Sequence, residues 1–187
     1  MSNPLAEAVA ALLGTVFVIA PGGLAASSSV TSMNSTFGLY GPGRIAVSYD
    51  ESVPVGARGA VRVTSSGNGG TAVNLTVHGL EPNREYGAHV HTERCGPDPA
   101  DAGPHYQNEV DPVQPSVDPA YANPSNEIWL DFTTDHTGHD SAHAAVNWTF
   151  REDEAHSVVI HEHHTATGHG VAGTAGARLG CLTFSMS

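Results

Sequence analysis

With 187 residues the chain is long enough for one domain with a full core plus short extensions. Its formal net charge is -12, and its seven basic residues are all arginine. Such a surface repels nucleic acid and anionic membrane, which need clustered Lys or Arg to displace counterions, so neither is expected as a partner, and an anionic substrate needs a local positive feature.

Residues 8–20 form an apolar run (AVAALLGTVFVIA) of about 13 residues. At about 1.5 Å rise per residue it is too short for a hydrocarbon core of roughly 30 Å. Pro21, Gly22 and Gly23 interrupt it, and small residues around Ala25 and Ala26 suit cleavage, although Met1, Ser2 and Asn3 carry no charge. These features predict an export signal over residues 1–26 and an extracellular or cell-envelope location. The two cysteines, far apart in sequence, suit an oxidising compartment. Residues 27–44, rich in Ser, Thr and Gly, read as a flexible linker, or a segment ordered only by docking, before a domain spanning 45–187.

Within that domain, Arg58 to Thr64 and Ala72 to Val77 alternate with period two around a Gly67-Asn68-Gly69-Gly70 turn, which predicts a hairpin. Tyr86 to His91, Ile128 to Thr133, Ala142 to Phe150, Ser157 to His161 and Arg178 to Phe184 continue the strand pattern. About eight antiparallel strands and no helix predict an all-β Greek-key sandwich or barrel with long functional loops. The longest loop, Glu93 to Ser125, is proline-rich and carries Cys95 and Gly103-Pro104-His105-Tyr106. A stretch of that length inside a compact domain points to function or disorder, and here to function.

His89 and His91, two apart on a strand, project to the same face and can share one metal ion. His105 in the long loop and His161 at the end of a β-branched run are further candidate ligands. Four imidazoles with no thiolate or carboxylate suit copper.

Gly79-Leu80-Glu81-Pro82-Asn83, Tyr86-Gly87-Ala88-His89-Val90-His91 and then Cys95 resemble the copper/zinc superoxide dismutase family. So do Gly103-Pro104-His105-Tyr106, Val159-Ile160-His161-Glu162 and the run from Gly173 to Cys181 (GTAGARLGC). The resemblance covers roughly residues 45 to 184, in order. It implies that His89, His91, His105 and His161 ligate copper, that Arg178 guides the superoxide anion, and that Cys95 and Cys181 form a disulfide. It also implies catalysis by His105, which in the family leaves copper on reduction and carries a proton.

The pattern departs from the family where zinc should bind. No histidine lies between His105 and Asp131, where only Glu109, Asp111, Asp118 and Glu127 offer charged oxygens. His163, His164 and Thr165 occupy the stretch where the family carries an aspartate that orients metal ligands. These departures predict a copper site without zinc, with Glu109 or Glu127 accepting a hydrogen bond from His105 to fix its tautomer. His163 and His164, with His161, could hold extra copper. The implied activity is dismutation of superoxide to oxygen and hydrogen peroxide through alternating copper oxidation states. The alternative is a non-enzymatic copper-binding or copper-buffering protein on the same fold.

Overall fold

The computed structural model describes residues 28–186, so the expected export signal over 1–26 lies outside the described residues. Among the described residues nine strands build two antiparallel sheets in a Greek-key-like sandwich. The first sheet contains β1 (Ser29–Thr36), β3 (Arg58–Ser65), β4 (Thr71–His78) and β7 (Asp140–Val146) in the order β1-β3-β4-β7. The second contains β2 (Ala46–Ser48), β5 (Glu85–His91), β6 (Phe132–Thr133), β8 (Ser157–His161) and β9 (Arg178–Thr183) in the order β2-β9-β8-β5-β6.

Period-two alternation does what the sequence predicts in the β3–β4 hairpin. Val61, Val63, Val73, Leu75 and Val77 turn inward while Arg58, Arg62 and His78 stay exposed. In the second sheet both faces are covered. Ala88, Val90, Val158, Ile160 and Leu182 enter the core between the sheets with Phe37, Leu75, Tyr86 and Phe184. Their neighbours Val159 and Cys181 face the other way and pack with Val47, Cys95 and Ala102 under the loops. His89 and His91 alternate with Ala88 and Val90, so they too lie on that loop-covered outer face.

Three sequence expectations need correction. The segment read as a flexible linker over 27–44 contributes β1, which pairs with β3 from Ser29↔Ser65 to Thr36↔Arg58. Backbone pairing needs no apolar alternation, and of its side chains only Met33 packs against the core, so the usual strand signal is faint. The run from Ile128 to Thr133 is a strand only at Phe132–Thr133; Leu130 N–H donates to Ala88 O (2.7 Å), but the ladder is otherwise irregular. The strand expected over Ala142 to Phe150 is shifted to Asp140–Val146. The long loop also contains a single 3-10 turn, Pro99–Ala102, capped by Asp98.

The Cys95–Cys181 disulfide ties this loop to β9 across a sequence separation of 86. No helix among the described residues is long and apolar enough to cross a membrane. Closing a loop of that length removes chain entropy from the unfolded state worth about 4 to 5 kcal/mol in the loop-closure account. Reducing the bond, or replacing Cys95 and Cys181 with serine, is expected to lower the denaturation free energy by about 2 to 5 kcal/mol. Urea unfolding with and without reductant measures this, and equal midpoints would contradict it.

Candidate metal centre

Three elements deliver four imidazoles to one point on the outer face of the second sheet. His89 and His91 come from β5, and His161 ends β8, directly alongside β5 in the ladder. His105 arrives because the long loop doubles back along β5: Tyr106 N–H donates to Val90 O at 2.8 Å, and His105 bridges to His91. Tyr106 anchors this return by packing its buried ring against Trp148 and Phe150. Each histidine offers one ring nitrogen, and these atoms all lie within 4.8 Å of one another, a separation that one ion can span.

The other ring nitrogens are tied back to the protein. His91 Nδ1 donates to Gly103 O (2.9 Å), and His161 Nδ1 to Gly176 O (3.4 Å). His105 Nδ1 donates to Glu127 Oε2 (2.8 Å), while His89 Nε2 lies 2.7 Å from Thr165 Oγ1. The inward nitrogens are therefore Nε2 of His91, His105 and His161 and Nδ1 of His89. Nε2 of His91 and His161 face each other at 3.3 Å, and the buried Nδ1 of His89 has no hydrogen-bond partner. A buried polar atom without a partner is costly, and a metal ion is the partner this arrangement suits. All donors are imidazole nitrogen, the set that accommodates copper in both oxidation states.

Burial holds His89, His91 and His161 neutral. Desolvation, followed by the neighbouring His105, pushes His89 and His91 well below the ordinary imidazole range, and the same causes bring His161 down to about 3. Their inward lone pairs are thus free at neutral pH.

Of the two carboxylates expected to serve His105, Glu127 does so and Glu109 does not. Glu127 is 2% exposed and also accepts from Gln107 Nε2 (2.8 Å) and Trp129 Nε1 (2.7 Å). Three N–H donors converge on it, which suits an acceptor-only carboxylate. Glu109 is exposed, and its backbone instead bonds the Asn126 side chain. The other oxygens weighed for zinc are used locally: Asp111 accepts from Val113 N and Ser116 Oγ, and Asp118 from Ala120 N. Among the described residues the four imidazoles form the one cluster with metal-holding geometry. His163 and His164 do not join it: His163 is exposed beside Glu162, and His164 Nε2 donates to Phe132 O (3.0 Å).

Arg178 stands beside His161, where β8 and β9 shift register. Its guanidinium donates to Pro99 O (2.9 Å) and Gly103 O (2.8 Å), so the carbonyl that orients His91 also fixes this cation. Arg178, His105 and His161 line one cavity of about 370 Å³, with Glu127, Gln114 and Gly173 to Gly176 among its other walls. His89 and His91 lie fully buried behind it.

The sequence profile of the copper/zinc superoxide dismutase family matches residues 57–183, about two thirds of the chain. The chain belongs to that family. A SOD-like protein from Bacillus subtilis is similar in structure, with 15% identity, a TM-score of 0.51, and coverage of 76% of this chain and 99% of that one. A point mutant of a SOD-like protein from the same organism gives 18% identity, a TM-score of 0.51 and coverage of 67% and 88%. The clock protein EA4 aligns over 89% of this chain and 98% of its own, with 17% identity and a TM-score of 0.53. At these identities the structural likeness speaks to the fold alone. No curated protein matches significantly by sequence.

The sequence did not point to Thr165, which contacts His89, or to Asp131, which holds Thr165 from a separate segment. Neither carries a local motif; only the fold brings them together.

Neutral, buried imidazoles make the metal-free protein sensitive to acid. The unfolded chain takes up protons on His89, His91 and His161 below about pH 6.5, whereas the folded chain does not until far lower pH. Depressed folded values thus mean stability that is full above about pH 6.5 and lost as pH falls toward 3, by up to about 1.4 kcal/mol per pH unit for each imidazole. Urea unfolding of chelator-treated protein is expected to show a clear loss of stability from pH 7.5 to pH 5.5. A flat profile over that range would contradict the neutral cluster.

Proposed function

We propose that the four-imidazole site holds a single copper ion and that the chain is an exported copper-binding member of its family without a zinc site. The observation that carries this reading is the set of four inward ring nitrogens, with His89 Nδ1 buried and unpartnered. Export is supported by the apolar run at residues 8–20 and by a disulfide that suits an oxidising compartment.

The finer reading is superoxide dismutation, in which two superoxide anions and two protons give one oxygen and one hydrogen peroxide. Copper held there supplies a one-electron couple between its +2 and +1 states. The protein's part is delivery of the anion and of protons. Arg178 gives the cavity a fixed positive group in a chain of net charge -12, so it concentrates and orients a small anion beside His105 and His161. Its planar fork is pre-set by two backbone carbonyls, so little ordering is needed when the anion arrives. His105 is the partly exposed imidazole of the four, at 18%, and faces the cavity. With its Nδ1 proton held by Glu127, His105 Nε2 is the atom at which a second proton can be taken up and returned.

A copper-buffering protein without turnover is the second reading. The absence of any second metal cluster among the described residues favours it, because nothing beyond copper retention is needed to account for the four histidines. Arg178 separates the two, since holding copper requires no anion guide.

Copper-loaded protein is expected to dismutate superoxide far faster than an equal amount of free copper. Arg178→Gln should lower that rate by about tenfold or more with copper content unchanged, and the remaining rate should depend less on salt. Stopped-flow decay of superoxide measures both. Wild-type turnover no better than the free ion would leave the buffering role. A second prediction concerns Glu127: Glu127→Gln should weaken copper binding about tenfold or more, whereas Glu109→Gln should leave it unchanged in competition titrations.

A further inference from the structure

His89 is fully buried, and its two ring nitrogens have different surroundings. Nδ1 has no partner, while Nε2 lies 2.7 Å from Thr165 Oγ1. Thr165 in turn is held twice by one carboxylate, with Oγ1 2.6 Å from Asp131 Oδ1 and its backbone N–H 2.8 Å from Asp131 Oδ2. An ionised carboxylate only accepts, and a hydroxyl has one proton to give. Thr165 therefore donates to Asp131, and its oxygen is left to accept from His89 Nε2–H. That direction strips the proton from Nδ1, the atom facing the other three imidazoles.

We propose that Asp131 and Thr165 form a positioning relay that fixes His89 in its Nε2–H tautomer and so dedicates Nδ1 to the metal. The relay deepens the copper-site reading and rests on it for its purpose, though not for its geometry. It also accounts for the missing orienting aspartate: a threonine in the loop after β8 reaches a carboxylate just before β6, on the far side of β5, and the two together do what one side chain would do alone. Close approach of that loop to β5 requires Gly87. A Cβ there would sit 2.5 Å from His163 O and 2.8 Å from Ala175 Cβ, which would push the segment carrying Thr165 away from His89. The hydrogen bond from His164 Nε2 to Phe132 O fastens the same segment to β6.

The relay is polar in a way that one isosteric change reverses. In Asp131→Asn the amide oxygen must face the Thr165 backbone N–H, which turns the amide NH2 toward Oγ1. Thr165 then accepts from the amide and donates to His89 Nε2, so the proton moves to Nδ1 and blocks the metal-binding atom. The test is nitrogen-15 and carbon-13 NMR of the imidazoles in metal-free protein, with copper(II) affinity measured by competition. Wild type is expected to show His89 protonated at Nε2, and Asp131→Asn at Nδ1, with copper affinity reduced tenfold to hundredfold. Thr165→Val should weaken copper binding to a similar degree and leave His89 in mixed tautomers, and Thr165→Ser should restore both readouts to within about twofold of wild type. This pair keeps the test decisive if Asp131→Asn does not fold. An Nδ1–H tautomer in wild type, an unchanged tautomer in Asp131→Asn, or unaltered affinity in Thr165→Val would overturn the relay. Tautomers that follow the scheme in a protein that binds no copper would leave the relay standing and remove the copper reading instead.

Discussion

The centre depends on one constraint: every imidazole in it has its outward nitrogen committed to a protein acceptor. Gly103 O, Gly176 O, Glu127 and the Thr165 hydroxyl take those four protons, which leaves four bare nitrogens directed at a common point. Burial adds the second half of the constraint by keeping His89, His91 and His161 neutral, since ionising any of these three would place a charge beside other imidazoles in a desolvated pocket. The metal-free site is consequently a stored cost. Unpartnered lone pairs and one fully orphaned nitrogen are tolerated because the surrounding sheet and loops over-determine their positions. An ion that satisfies them returns that cost, so binding and stability are coupled.

The sandwich supplies the rigidity. The second sheet is buried on both faces, and alternation along β5 sends Ala88 and Val90 into the core while presenting His89 and His91 to the loops. The loops are held in turn by the disulfide to β9, by the Tyr106 anchor and by Glu127 with its three donors. Gly103 O serves two groups, His91 and Arg178, so the ligand set and the cation at the cavity share one piece of backbone. A shift of that loop would disturb the ligand set and the cation at the cavity together.

Much of this was legible in the sequence because it depends on local pattern. The spacing of His89 and His91 fixes their common face, period-two alternation marks β3 and β4, and a β-branched run marks β8. The family resemblance joined the candidates His105 and His161 to His89 and His91 in one copper site and supplied the roles of Arg178 and the cysteine pair, which no spacing rule would have given. What escaped was set by tertiary contact. The β1 segment is polar on its exposed side and lacks a clean apolar face, so it read as linker until its pairing with β3 was seen. Glu109 and Glu127 were equivalent as sequence, and only burial against Gln107 and Trp129 distinguishes them. Thr165 and Asp131 lie 34 residues apart in unrelated contexts, and their meeting at His89 follows from the close pass of a loop over Gly87.

The proposed centre holds one metal ion and selects copper over zinc. The most direct measurement is native mass spectrometry of the metal-free protein after exposure to excess copper and excess zinc together, with elemental analysis of the same sample. One copper and no tightly held zinc per chain is the expected result. Retention of one copper and one zinc together, or of zinc in place of copper, would contradict it.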